Sequence, residues 1–545
     1  MSIIILTKPD LFWSIKPIHS ILLKHNFIET ILLRTVMSKS IKSNLSSKHS
    51  QSTTPQHYLR IWRWHFYAGL FVIPFLVILA GTGLGMIILS NTVGRQGELI
   101  SVSPQNTSMA VSHQAHIATS NIAGGQVTQY IAPKDDHHAA AFLVKNHDTQ
   151  VANWVAIDPY TAQIVGTQPQ KSGLYHTLDS IHGDLLMGKT GDLLLETAAS
   201  LTILLIITGI YLWWQKRKSV IKMLTVQDTK TKRNLWREIH AVLGSWTAIV
   251  LLFFCITGLA WAGIWGEKIV QAWNQSPAGK WGVEPVPTSS LPIDTAHDDA
   301  SYQQQNTADT PHHATDISAP THGDALNDGT KQVPWVLEKT PMPSSTPTSN
   351  TWQMTQPDID FIDNMAKNMG FVGRYQINYP KTPTGVWSIS QDSMSYDSPN
   401  PTADRTVHID RYSGEVLADI RYHDYSAFGK FMAVGIALHM GTAGIFSILA
   451  NLLFCLSVIA ICISGLVMWW QRRPATNLHK NNKSALPMGL IPPASQKNIP
   501  IWWGFGGVLL LISALFPMGL FAILVIVILD WLIISRVPLL SKLLK

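Results

Sequence analysis

The sequence predicts an all-α polytopic membrane bundle: a four-helix core built from two repeated hairpins, a C-terminal helical hairpin, and small α+β modules on one side of the bilayer. Three observations predict it. Apolar residues make up 46% of the 545-residue chain and charged residues 14%, with the apolar ones concentrated near 66–89, 193–214, 242–265 and 444–470. Each run supplies the roughly 20 residues that cross ~30 Å of hydrocarbon at ~1.5 Å per residue. Residues 63–84 (RWHFYAGLFVIPFLVILAGTGL) align without a gap on 238–259 (EIHAVLGSWTAIVLLFFCITGL). His65 thereby falls on His240, Gly69 on Gly244, and Thr82-Gly83-Leu84 on Thr257-Gly258-Leu259. Finally, ITGIYLWWQKRK (207–218) matches ISGLVMWWQRRP (463–474), with His182 upstream of the first and His439 upstream of the second. A duplicated helix pair with histidines at equivalent depths is the sequence form of a pseudo-twofold bundle.

Residues 1–56 are an N-terminal extension, Ser/Lys-rich after a mildly apolar start and expected to be disordered; Met37 would serve equally well as a start. The first hairpin covers 57–218 with a polar loop at 90–175, and a basic loop at 219–237 leads to the second hairpin, 238–474, whose polar loop is 266–430. A linker, 475–500, precedes the C-terminal hairpin and tail, 501–545, where Pro517 and Gly519 divide one apolar stretch into helices at about 501–516 and 518–534. Basic residues mark cytoplasmic loops. Lys216, Arg217, Lys218, Lys222, Lys230, Lys232, Arg233 and Arg237 lie in one short loop, and Arg472, Arg473, Lys480, Lys483 and Lys497 in the other. The polar loops are therefore expected to face outward and both termini to be cytoplasmic. This topology accounts for most of the net charge of +7, so no nucleic-acid partner is required. Cys255, Cys455 and Cys462 lie inside predicted spans without a CxxC or CxxCH pattern, which argues against covalent c-type haem and a disulfide framework.

The two outward loops share a strand–turn–strand pattern, WVAIDPYTAQIVG (154–166) against TVHIDRYSGEVLA (406–418), each read as a β-hairpin. DIDFIDNMAKNMG (358–370) reads as a helix, and YQINYP (375–380) and GVWSISQ (385–391) as strands. Residues 285–350 are rich in Pro, Ser, Thr, Asp, Gln and His, and are expected to be a disordered insertion; the spacing of His297, His312, His313 and His322 fixes no metal geometry.

A histidine within or at the edge of a spanning helix is costly unless it pairs, lines water or ligates something. His65 and His240 begin their spans, each followed four residues later by a glycine, Gly69 and Gly244, which leaves room for a flat macrocycle or for close helix packing. His182 and His439 approach the outer ends of the partner spans; His176 and His423 lie upstream of them. Symmetry pairs His65 with His240 and His182 with His439. Bis-imidazole pairs in a bundle core suit b-type haem. Structural histidines, another metal or a proton path remain open on the residues alone. Trp213-Trp214 and Trp469-Trp470 read as interfacial aromatic belts, and Glu196 as a candidate for polar pairing or proton uptake. There is no GxGxxG, Walker loop or nucleophile constellation, so electrons for any reduction come from a separate donor.

Taken together, RWH…G with TG near the span's end, IHGDLLMG, LHMG, the repeated TG/SG…WWQ ends, the IDP/IDR hairpins and the closing IPIWWG…FP…LDWL resemble the PepSY-associated transmembrane proteins, or iron-regulated membrane proteins, over roughly 57–535. The resemblance implies PepSY-like periplasmic modules on a di-haem b reductase of the bacterial inner membrane. Such an enzyme passes electrons from membrane quinol or a cytoplasmic reductase to a ferric siderophore or other ferric chelate and releases Fe(II). It implies His65, His240, His182 and His439 as haem ligands, with His176 in reserve, and no catalytic acid or base. The 285–350 insertion and the N-terminal extension have no counterpart in that pattern. Two other classes compete: an iron or siderophore uptake transporter, and a non-catalytic membrane anchor.

Overall fold

The computed structural model describes residues 58–95, 99–217, 219–227, 229, 231–271, 320–327, 333–345, 357–472, 507, 511 and 514–529. The chain opens with helix α1 (Tyr58–Thr92) and the short helix α2 (Val111–Ser120), then strands β1 (Gly125–Ile131), β2 (Ala140–Asn146), β3 (Ala152–Ile157) and β4 (Ile164–Pro169). Helices α3 (Gly173–Asp184), α4 (Lys189–Arg217), α5 (Val220–Leu224) and α6 (Lys232–Leu259) follow. Beyond them come α7 (His322–Leu326), α8 (Ile359–Asn368), and strands β5 (Gln376–Asn378), β6 (Trp387–Gln391), β7 (Arg405–Ile409) and β8 (Val416–Arg421). The chain returns through α9 (Ala427–Met440), α10 (Ile445–Trp470) and α11 (Pro517–Leu529).

Among the described residues, α1, α4, α6 and α10 are the helices long and apolar enough to cross a membrane. They form a closed ring in which α1 packs on α4 and α10, and α6 packs on the same two. Large apolar side chains such as Ile249 and Phe446 are exposed on its outside, as expected where lipid rather than water is the solvent. Thr82, Thr208, Thr257 and Ser464 are buried between the helices. α1 tolerates Pro74 within its length, because neighbouring helices shield the freed carbonyl. α11 lies against α4, where Gly519 comes close enough to Ser200 that a Cβ would meet it at 3.0 Å. The first arm of the expected C-terminal hairpin falls mostly outside the described residues.

Both polar loops leave and re-enter the ring at the same end, and there the all-α expectation for the core gives way to a substantial β layer. Instead of two separate modules, the strands make one antiparallel sheet of eight, in the order β4-β3-β2-β1-β5-β6-β7-β8. The halves meet at β1 and β5, where Gln129 pairs with Asn378, Tyr130 with Ile377 and Ile131 with Gln376. The Gln129 side-chain amide donates to Gln376 Oε1 at 2.8 Å across this seam. α2 and α8 cover one face, closing a core of Phe142, Val155, Ile157, Ile362, Ile377 and Ile409. Asp358 caps α8, its carboxylate accepting from the Phe361 amide at 2.9 Å. The aligned hairpins turn alike: Asp158 Oδ1 accepts from the Tyr160 amide and Asp410 Oδ1 from the Tyr412 amide, at 2.9 and 2.8 Å. The left-handed residue that completes each turn is Gly414 (φ 74°) in one and Ala162 (φ 54°) in the other.

The expectation of a disordered 285–350 segment fails for 320–327 and 333–345. Trp335, Val336, Leu337 and Met342 are buried there against α9, β8 and the end of α6. Trp335 Nε1 donates to the Ala260 carbonyl at 3.0 Å, tying this segment to the end of a spanning helix. His322, read as a linker histidine, is fully buried with its Nε2 2.9 Å from His408 Nε2. His297, His312 and His313 lie outside the described residues.

Candidate functional site

The four sequence-predicted histidines lie at two levels of the ring. His65 on α1 and His240 on α6 sit toward the end away from the sheet, within electrostatic reach of each other. His182 on α3 and His439 on α9 sit at the sheet end and line one cavity. Seventeen residues of α1 separate His65 from Thr82, the contact of His182, which puts the levels about 25 Å apart.

Each imidazole is held in the same way. His65 Nδ1 lies 2.9 Å from Thr208 Oγ1, His182 Nδ1 2.8 Å from Thr82 Oγ1, His240 Nδ1 2.9 Å from Ser464 Oγ, and His439 Nδ1 2.8 Å from Thr257 Oγ1. Each hydroxyl donates to a carbonyl of its own helix: Thr82 to Ile78, Thr208 to Leu204, Thr257 to Phe253 and Ser464 to Ile461, at 2.7–2.9 Å. With its single proton committed, the hydroxyl oxygen accepts and Nδ1–H donates. Nε2 then carries the lone pair, and among the described residues nothing hydrogen-bonds it. All four side chains can ligate a metal through that atom.

The residue after each hydroxyl is a glycine, and the imidazole Cε1 lies over it. A Cβ would stand 3.1 Å from His65 at Gly209, 3.3 Å from His439 at Gly258, and 3.6 Å from His182 at Gly83 and from His240 at Gly465. Gly69 and Gly244 do not have this role; Gly69 faces Leu205, and Gly244 meets nothing within 4 Å.

Between His182 and His439 lies a cavity of about 510 Å³, walled by Gly83, Gly258 and Phe454 and running out to Tyr396 in the sheet layer. The Phe254 ring packs on His439 at 4.6 Å between centroids. At the mouth, Arg95 donates from Nη2 to the Ser395 carbonyl at 2.6 Å and lies 4.5 Å over the Tyr396 ring. The pattern of the PepSY-associated TM region matches residues 62–472. The chain belongs to this family. No curated protein matches it.

In this PepSY-associated membrane protein the remaining candidates are sorted by position. His176 lines the same cavity on α3, but among the described residues no threonine or serine hydroxyl bonds it as Thr82 bonds His182. His423 is exposed beside Asp424, at 3.2 Å, away from both levels. Glu196 is buried at the cavity wall, where Oε2 accepts from the Ile264 amide at 3.2 Å and Oε1 has no hydrogen bond among the described residues. Asp192 accepts from the neighbouring Gly263 amide at 3.0 Å. Together they pin the turn after α6 to the start of α4. Trp213 Nε1 donates to the Met223 carbonyl at 3.1 Å and Arg217 pairs with the buried Glu238, so the basic end of the ring is fastened near His240. The hydroxyl–imidazole contacts are not visible to motif reading, although TG, TG, TG and SG recur in the aligned segments.

Proposed function

We propose that the chain is a di-haem b oxidoreductase of the bacterial inner membrane that passes electrons outward to a ferric siderophore or another periplasmic ferric chelate and releases Fe(II). The observation that supports this reading is the set of four half-buried imidazoles, paired at two depths, each with Nδ1 held by a hydroxyl and Nε2 without a hydrogen bond among the described residues. His65 with His240, and His182 with His439, would hold the haem irons, and the four glycines let each imidazole lie close against the neighbouring helix. The donor set of neutral nitrogens without thiolate or carboxylate suits haem iron. When bound, the haems supply one-electron carriers at the two depths.

The protein's own work is to bind, orient and exclude water. The apolar ring keeps the inner ligands dry, and the sheet layer stands over the cavity at the outer ligands. With both termini cytoplasmic, that layer lies in the periplasm. Electrons enter from membrane quinol or a cytoplasmic reductase. One electron taken up by a chelated Fe(III) gives Fe(II), whose binding by hard oxygen ligands is weaker, so the chelator leaves intact.

The test is a reduced-minus-oxidised visible spectrum with pyridine haemochrome quantification on detergent-purified protein. About two b haems per chain is the expected result. Colourless protein after expression with ample haem supply would overturn the proposal in favour of a transporter or an anchor.

A further inference from the structure

Threonines in the ring commonly bond back to their own helix. Thr197 donates to the Leu193 carbonyl, Thr202 to Ala198 and Thr247 to Leu243, all at 2.7–2.8 Å. This is the ordinary way to satisfy a hydroxyl within a spanning helix. Thr82, Thr208, Thr257 and Ser464 do it as well, and in addition each meets an imidazole Nδ1 within 2.8–2.9 Å. The four contacts join four different pairs of helices: α4 to α1, α1 to α3, α10 to α6, and α6 to α9. Agreement to within 0.1 Å at all four places, two in each repeat and each followed by a glycine under Cε1, marks a repeated device.

Resting on the di-haem reading, we infer that these four hydroxyl residues are positioning residues for the haem ligands: each fixes its histidine as the Nδ1–H tautomer, aims Nε2 into the ring, and sets the donor strength of the imidazole. The back-bond is what makes the device work. A free hydroxyl could donate to Nδ1 and leave the proton on Nε2, which would block ligation; a hydroxyl already donating to a carbonyl can only accept. An acceptor on Nδ1–H increases the basicity of the ligand and so favours the ferric state. Removing it should raise the reduction potential of the haem at that level and leave the other level alone.

The experiment uses full-length protein in nanodiscs, with redox titration of each haem, EPR of the ferric low-spin centres and haem stoichiometry. Thr257→Val removes the hydroxyl at nearly constant volume. Its expected result is a positive shift of the sheet-end haem alone, or loss of that haem alone, with Thr257→Ser restoring the wild-type potential. Thr208→Val should do the same at the other level only. Gly258→Ala, which presses a methyl on His439 while keeping the hydroxyl, should perturb the sheet-end EPR signal. Thr202→Val is the control: it removes the same kind of back-bond without an imidazole and should move neither potential. Unchanged potentials and g-values in both Thr→Val variants, or equal shifts in Thr202→Val, would overturn the inference. Wild-type protein without haem would overturn the underlying reading instead, so the two failures are distinct.

Discussion

The two histidine levels are built from the same parts but rest on different supports. His65 and His240 sit inside α1 and α6, long helices that continue past them in both directions. His182 and His439 ride on the short helices α3 and α9, which end within three residues in left-handed turns at Leu185 and Gly441. Even those two junctions differ. In the first repeat Gly191 lets α4 press directly on the Asp184 carbonyl, whereas in the second Asn451 Nδ2 donates to the Leu438 and His439 carbonyls at 2.8 and 2.9 Å. The level away from the sheet is thus a property of the spans themselves. The level at the sheet end depends on two turns and on the layer behind them, and the cavity opens at that level.

The largest expected effect separates the levels outright. His65→Ala or His240→Ala should remove one haem and keep the other, and His182→Ala or His439→Ala should remove the complementary one, as counted by haemochrome; a His65→Ala/His240→Ala double variant that still held two haems would break the pairing. Next in size is Glu238→Ala. Glu238 is buried two residues before His240 and pairs with Arg217, and stranding the arginine should lower stability by about 3 kcal/mol. Thermal unfolding in detergent reads this, and the inner haem should be lost before the outer one.

The smallest effect concerns the sheet end. Burial pushes His322 down to about 4 and His408 well below its ordinary value, with the pair's Nε2 atoms 2.9 Å apart. Unfolded imidazoles protonate near pH ~6.5. Below that value the unfolded chain binds more protons than the folded one, so stability is full above it and falls as the pH drops toward 4. Differential scanning between pH 7 and pH 5 should show the sheet layer weakening; a flat profile would mean that this pair does not hold the layer down.

Much of this architecture was legible because membrane spans and hairpins announce themselves locally. The four long helices fall on the four apolar runs, although α6 ends at Leu259 where its run was read on to 265, and β3–β4 and β7–β8 fall on the two aligned hairpins. His65, His240, His182 and His439 stood out through the repeat alone. What escaped was non-local or diluted. The seam joins Gln129 to a partner 247 positions away, and no pattern within β1 names it. The hydroxyl contacts join residues 100 to 224 positions apart, so TG and SG could be aligned without their purpose being visible. Trp335-Val336-Leu337 was hidden by the Pro/Ser/Thr average around it, and His322 with it.

The seam between β1 and β5 also has a mechanical meaning. It straps the outer loop of one repeat to that of the other, so at this end the halves of the ring are cross-braced. A carrier that alternated its opening by rocking one half against the other would have to shear buried main-chain pairs and the Gln129–Gln376 contact in every cycle. Such a brace resists passage of a bulky solute and places no obstacle before an electron, which needs only fixed distances to cross.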